Sequence, residues 1–195
     1  MRLIAVALVI LGALSALGFA HRERRVREQD KLAVIAGDLA GRPVGVRCPG
    51  FLSSLVNVRT EGGTVQFDGN GRPADATKLS PETCHLLRNI DRFDFSCIAR
   101  GNCTFKQFKA AWAVHTLAHE AFHLRGIEAE ATAECYALQN TAFVAERLGI
   151  ADATAQRLQR WVYVRGYPNE PEDYRSDECR DGGQLDLRPA SPFFP

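Results

Sequence analysis

The sequence predicts one α+β domain braced by disulfides, and three observations carry that reading. Apolar residues recur at helical spacing through Phe105, Phe108, Trp112, Val114, Leu117, Ala118 and Phe122, which marks a long helix. Upstream, short runs at 43–48, 63–67 and 74–79 read as strands bounded by turn residues. Six cysteines, an even number, suit a disulfide framework in an oxidising compartment. At 195 residues the chain is long enough to bury one core. Its formal net charge of +1 offers no basic surplus, so no nucleic-acid partner is expected.

Taken in order, residues 3–20 form an apolar run preceded only by Arg2, and 1–20 stand at the overlap between a signal peptide and a membrane anchor. Gly18, Phe19 and Ala20 place small residues correctly for cleavage after Ala20. The basic stretch that follows, His21 to Arg27, would on its own favour a cytoplasmic side. The even cysteine count argues for export, so the domain is expected outside the cytoplasm, either secreted or anchored to the membrane by its N-terminal helix. Residues 21–40 read as a charged helical stalk that docks through Leu32, Val34, Ile35 and Leu39. The domain itself is assigned to 41–166. Asp68, Gly69, Asn70 and Gly71 supply a turn, so 63–67 and 74–79 form a hairpin. Ser80 followed by Pro81 starts a helix holding Cys84, His85 and Leu87, with His85 on its surface. Thr104 and Gln107 make a capping box for the long helix, and Gly126 ends it. A second helix then runs from Glu130 until Gly149 closes it. A third, capped by Asp152, ends near Gly166, and the tail from 167 to 195 is irregular.

Within the long helix stands His119-Glu120-Ala121-Phe122-His123, an H-E-x-x-H pattern. Residues four apart share a helix face, so both imidazoles reach one ion. Zinc accepts two imidazoles and a carboxylate and keeps a fourth position open for water. Glu120, next to the first histidine, is the candidate general base for that water. His115 lies a further turn back. Three histidines at this spacing would span about 12 Å at ~1.5 Å rise per residue, too long to share one ion. His115 is therefore expected to pack or to line the cleft.

Downstream, Glu130-Ala131-Thr132-Ala133-Glu134 resembles the E-x-x-A-D element of gluzincins, zinc peptidases whose third ligand is a glutamate. The resemblance spans about 25 residues. It implies a zincin-like fold, with the active-site helix and the third-ligand helix packed on a small sheet. It also implies one Zn2+ per chain held by His119, His123 and Glu130, with Glu134 orienting a ligand imidazole from behind. Glu134 and Glu128 stay open as rival third ligands, in that order. The run ending at Gly126 also resembles the metzincin start, but that family's third ligand would fall at Ala129, which cannot ligate.

Tyr136, Tyr163 and Arg125 are candidates for stabilising an oxyanion or lining the cleft. Six cysteines allow fifteen pairings. The favoured set is Cys97–Cys103, Cys84–Cys135 and Cys48–Cys179. Strand 74–79 is expected at the sheet edge, aligning an extended peptide or protein substrate by strand addition. The function expected is zinc-dependent peptide hydrolysis through a Glu-activated water. The alternatives are an inactive zincin-like binding module and a structural envelope domain with an accidental motif.

Overall fold

The computed structural model describes residues 23–24, 26–49, 62–191 and 193–195. The expected signal or anchor, and its cleavage point, lie outside them. Among the described residues no helix is long and apolar enough to cross a membrane.

The sheet is small and mixed. Strands β1 (Gly45–Arg47), β2 (Gly63–Thr64) and β3 (Ala76–Leu79) lie in the order β1-β3-β2. β2 and β3 form the expected antiparallel hairpin, with Gly63 opposite Leu79. The Asp68 carboxylate closes its turn by accepting from the N–H groups of Asn70 and Arg72, each at 2.9 Å. β1 runs parallel to β3 and pairs along its other side. The strand expected at the edge is therefore central, and β2 is the edge among the described residues.

Seven α-helices accompany this sheet among the described residues, and the long one packs on it. The first, α1, covers 26–40 and buries Leu32, Ile35, Ala36 and Ala40 in the common core. α2 is Pro81–Arg88, started as its sequence implies by Ser80 accepting from the Thr83 N–H at 3.0 Å. A single turn, α3 (Cys97–Arg100), leads to α4 (Phe105–Leu124). α4 opens on the Thr104–Gln107 capping box and is buried on every side from Ala113 to Leu124. A helix buried all round is the centre of a domain, and α5, α2, α6 and α7 all pack on it. Gly126 reverses the chain after α4 with φ of 104°, a conformation costly to any residue bearing a Cβ.

The single helix expected from Glu130 to Gly149 is two: α5 (Glu130–Leu138) and α6 (Thr141–Leu148). Asn140 Nδ2 donates to the Tyr136 carbonyl, and Thr141 Oγ1 donates to that of Ala137, both at 2.8 Å. Side chains that take the i−4 carbonyls compete with the helix ladder and bend or break it. α7 is Asp152–Arg165. The tail that follows is irregular apart from short 3-10 turns at Tyr167–Asn169 and Glu172–Tyr174.

Three disulfides form, and two differ from the favoured pairing. Cys97–Cys103 is as expected. Cys48 joins Cys84, not Cys179, and Cys135 joins Cys179, not Cys84. The first correction follows from β1 lying parallel to β3. Parallel neighbours end at the same side of the sheet, so Cys48 just after β1 meets Cys84 on the helix that follows β3. That leaves Cys135 of α5 to hold the tail.

Candidate metal centre

α4 carries His115, His119, Glu120 and His123, and the first turn of α5 brings Glu130 against them. His119 Nε2 and His123 Nε2 lie 2.9 Å apart, and Glu130 Oε2 is 3.1 Å from each. The opposite face of each ring settles its protonation. His123 Nδ1–H donates to the Ile127 carbonyl at 2.7 Å, and a carbonyl only accepts. His119 Nδ1–H donates to Glu134 Oε2 at 2.9 Å. In their neutral forms both rings thus turn a bare Nε2 lone pair towards a third acceptor, the Glu130 carboxylate. Three acceptors on one point can be held together by a proton or by a cation. Ligands ~2.0–2.1 Å from a tetrahedral zinc sit roughly 3.3 Å apart, so the triangle needs to open by only a few tenths of an ångström. The donor set fits zinc.

With no ion bound, a proton takes that place. Burial pulls the His119 pKa down, but hydrogen bonds to Glu130 and Glu134 and the charges of Glu134 and Glu120 outweigh it and push it up to about 10. Burial and the neighbouring His119 charge lower His123. The hydrogen bond with His119 leads the effects that lower Glu130.

Behind His119 lies a second layer of charge. His115 is 1 % exposed, and its Nε2–H reaches both oxygens of Glu134 at 2.9 Å. Burial raises the Glu134 carboxyl, yet the charge and hydrogen bond of His115, with those of His119, hold it down at about 2. His115, His119 and Glu134 also lie close enough to hold an ion. In that group, however, the ring N–H groups already donate to the carboxylate, which closes it without one. Glu134 is thus the partner that fixes the His119 tautomer. Glu128 lies elsewhere: its nearest carboxylate oxygen is 3.8 Å from where a Cβ on Gly71 would stand, beside the hairpin turn.

Glu120 faces the sheet and is only 3 % exposed. Burial pushes its carboxyl up to about 7, against the His119 charge and the Thr77 hydroxyl. Thr77 Oγ1 is 2.8 Å from Glu120 Oε2 and 3.0 Å from the Thr64 carbonyl. One hydroxyl serves both states of the acid. It donates to the ionised carboxylate, or accepts from the protonated one while donating to Thr64. Gly63 of β2 passes so near that a Cβ there would stand 2.7 Å from the Glu120 carboxyl carbon and Oε1.

A cleft of about 650 Å³ opens over His119 and Glu120 and runs back along α4, between Gly62–Gly63 and α2 on one side and residues 165–174 on the other. Tyr174, which the sequence reading did not single out, lines it with its ring stacked on His119 at 5.7 Å and 18°. Burial and the charge of Glu130 push its phenol up to about 12, so it stays a donor. Tyr136, Tyr163 and Arg125 do not line this cleft. Tyr136 packs edge-on against Phe122, Tyr163 donates to the Cys179 carbonyl at 3.4 Å, and Arg125 is exposed at the end of α4. The signal for Tyr174 was its place five residues before Cys179, legible only once that cysteine is known to pair with Cys135.

No protein-family model, curated protein or solved structure matches the chain.

Proposed function

We propose that the protein is a zinc-dependent peptidase of zincin-like design, acting outside the cytoplasm where its three disulfides persist. One observation carries this reading. His119 Nε2, His123 Nε2 and Glu130 Oε2 converge within 3.1 Å while the far nitrogen of each ring is committed to an acceptor. The likeness of residues 119–134 to gluzincins supports it. Held by these three residues, zinc supplies Lewis acidity that polarises a peptide carbonyl and acidifies water.

The chain's own groups do the rest. Glu120, with its pKa near 7, takes a proton from the attacking water and returns it to the leaving amine. Thr77 keeps the carboxylate aimed in both states. The Tyr174 phenol donates to the oxygen on which negative charge develops. The edge strand β2 takes the aligning role expected of 74–79.

A second reading is a zinc-binding module without catalysis, favoured by the burial of Glu120 and its hydroxyl partner. Replacing Glu120 with Gln separates the two. A peptidase loses peptide hydrolysis by several orders of magnitude and keeps one zinc per chain. A module shows no hydrolysis to lose.

A further inference from the structure

The far end of the cleft is unlike its metal end. Two to four turns before His119, α4 presents Phe105, Phe108 and Trp112 to the opening, with Ala113 and the α2 residue Leu86 between them. Phe108 stacks on Trp112 at 6.0 Å and meets Trp161 at right angles, 5.4 Å away. Trp112 packs against Gly166, where a Cβ would come within 2.1 Å of its ring. That glycine is needed for space: its φ is −94°. Phe105 is 74 % exposed at the rim. A lone exposed phenylalanine is ordinary. Here it continues a wall of rings already fixed in place, and the same opening leads to Glu120.

We infer that this end of the cleft is a subsite for an aromatic or large aliphatic side chain of a peptide substrate, held by Phe105, Phe108 and Trp112. The inference rests on the peptidase reading and names what such an enzyme would select. Charge gives the mouth little preference of its own. Lys109 is paired with Glu82 across the opening, and Arg165 and Glu170 add one charge of each sign. Trp112 precedes His119 by seven residues and Phe108 by eleven, or about 10 and 16 Å along the helix at ~1.5 Å per residue. An extended peptide advances ~3.3 Å per residue, which sets the selected side chain about three to five residues from the scissile bond.

The test uses the full chain in two ways. Zinc-loaded protein is given unstructured peptides, and cleavage sites are mapped by mass spectrometry. Separately, calorimetry on the Glu120→Gln variant compares a short Ala/Ser peptide carrying one Phe with its all-Ala/Ser counterpart. The expected result is cleavage sites that share a large apolar residue at one fixed distance on one side. The Phe peptide should also bind better by about tenfold, an advantage lost in added Phe108→Ala or Phe105→Ala changes. Phe105 is exposed, so its variant folds even where the half-buried Phe108 does not tolerate truncation. Cleavage without such a shared residue, or equal binding of the two peptides, overturns the subsite and leaves the peptidase standing. Selective binding of the Phe peptide without any cleavage upholds the subsite and overturns the peptidase.

Discussion

At the scale of residues, the proposed centre sets one proton against one ion. With its pKa pushed up to about 10, His119 keeps its proton in the ion-free chain, so on the proposed reading zinc would have to expel it. Calorimetry at pH 7.5 in buffers of different ionisation enthalpy should report about one proton released per zinc. Release of none would mean the triangle is not where zinc goes. The two glutamates of α5 should separate cleanly. Glu130 supplies a corner of the triangle, so Glu130→Ala abolishes stoichiometric zinc. Glu134 acts through His119, so Glu134→Gln weakens zinc by about 10- to 100-fold without abolishing it. Equilibrium dialysis against a zinc chelator distinguishes the two. The two carboxylates stand four residues apart in the sequence, but only the fold shows that Glu130 faces Nε2 of His119 and Glu134 its Nδ1.

At the scale of elements, β2 and the tail act on the site from opposite sides. Gly63→Ala drives a methyl into the Glu120 carboxyl that Thr77 holds, and misplacement of that size costs on the order of a hundredfold in rate. Zinc stoichiometry should stay at one, since no ligand moves; loss of zinc together with activity would show that β2 supports the whole centre. The Cys135–Cys179 bridge spans 44 residues and ties the tail bearing Tyr174 to the helix bearing Glu130. Replacing both cysteines with Ala should lower stability by about 2–4 kcal/mol in urea titration and slow hydrolysis while zinc is retained. Local signals made several elements legible: the Ser80-Pro81 start, the Thr104 capping box, the Asp68 turn and the Gly126 reversal all depend on near neighbours. The break between α5 and α6 was hidden because Asn140 and Thr141 are tolerated in helices. Only their bonds to carbonyls one turn back reveal it.

At the scale of the molecule, a mixed α+β class was legible because helix and strand patterns are local, and the meeting of His119 with His123 because it rests on spacing along one helix; Glu130 reaches them from another. Strand order and disulfide pairing were not, because they depend on which distant segments meet. Once β1 is known to run parallel to β3, Cys48–Cys84 follows, and Tyr174 follows from the pairing that remains. The buried charges also set how the whole domain responds to acid and base. Glu134, held near 2 against an ordinary 4.5, contributes stability that is complete above pH 4.5 and is lost as pH falls towards 2. His119, raised from 6.5 to about 10, contributes stability that is complete below pH 6.5 and is lost as pH rises through 10. Glu120, raised from 4.5 to about 7, favours the fold below pH 4.5 and loses that contribution by pH 7. The ion-free chain should therefore be most stable at about pH 5, read as the urea midpoint against pH after chelation. A maximum above pH 8 would contradict these assignments. The most direct test of the central claim is the zinc content of the purified chain beside its Glu130→Ala variant, measured by mass spectrometry of the metal after dialysis. One zinc per chain, absent from a variant that is otherwise folded, is the result the triangle predicts. Equal zinc in both, or none in either, would contradict it.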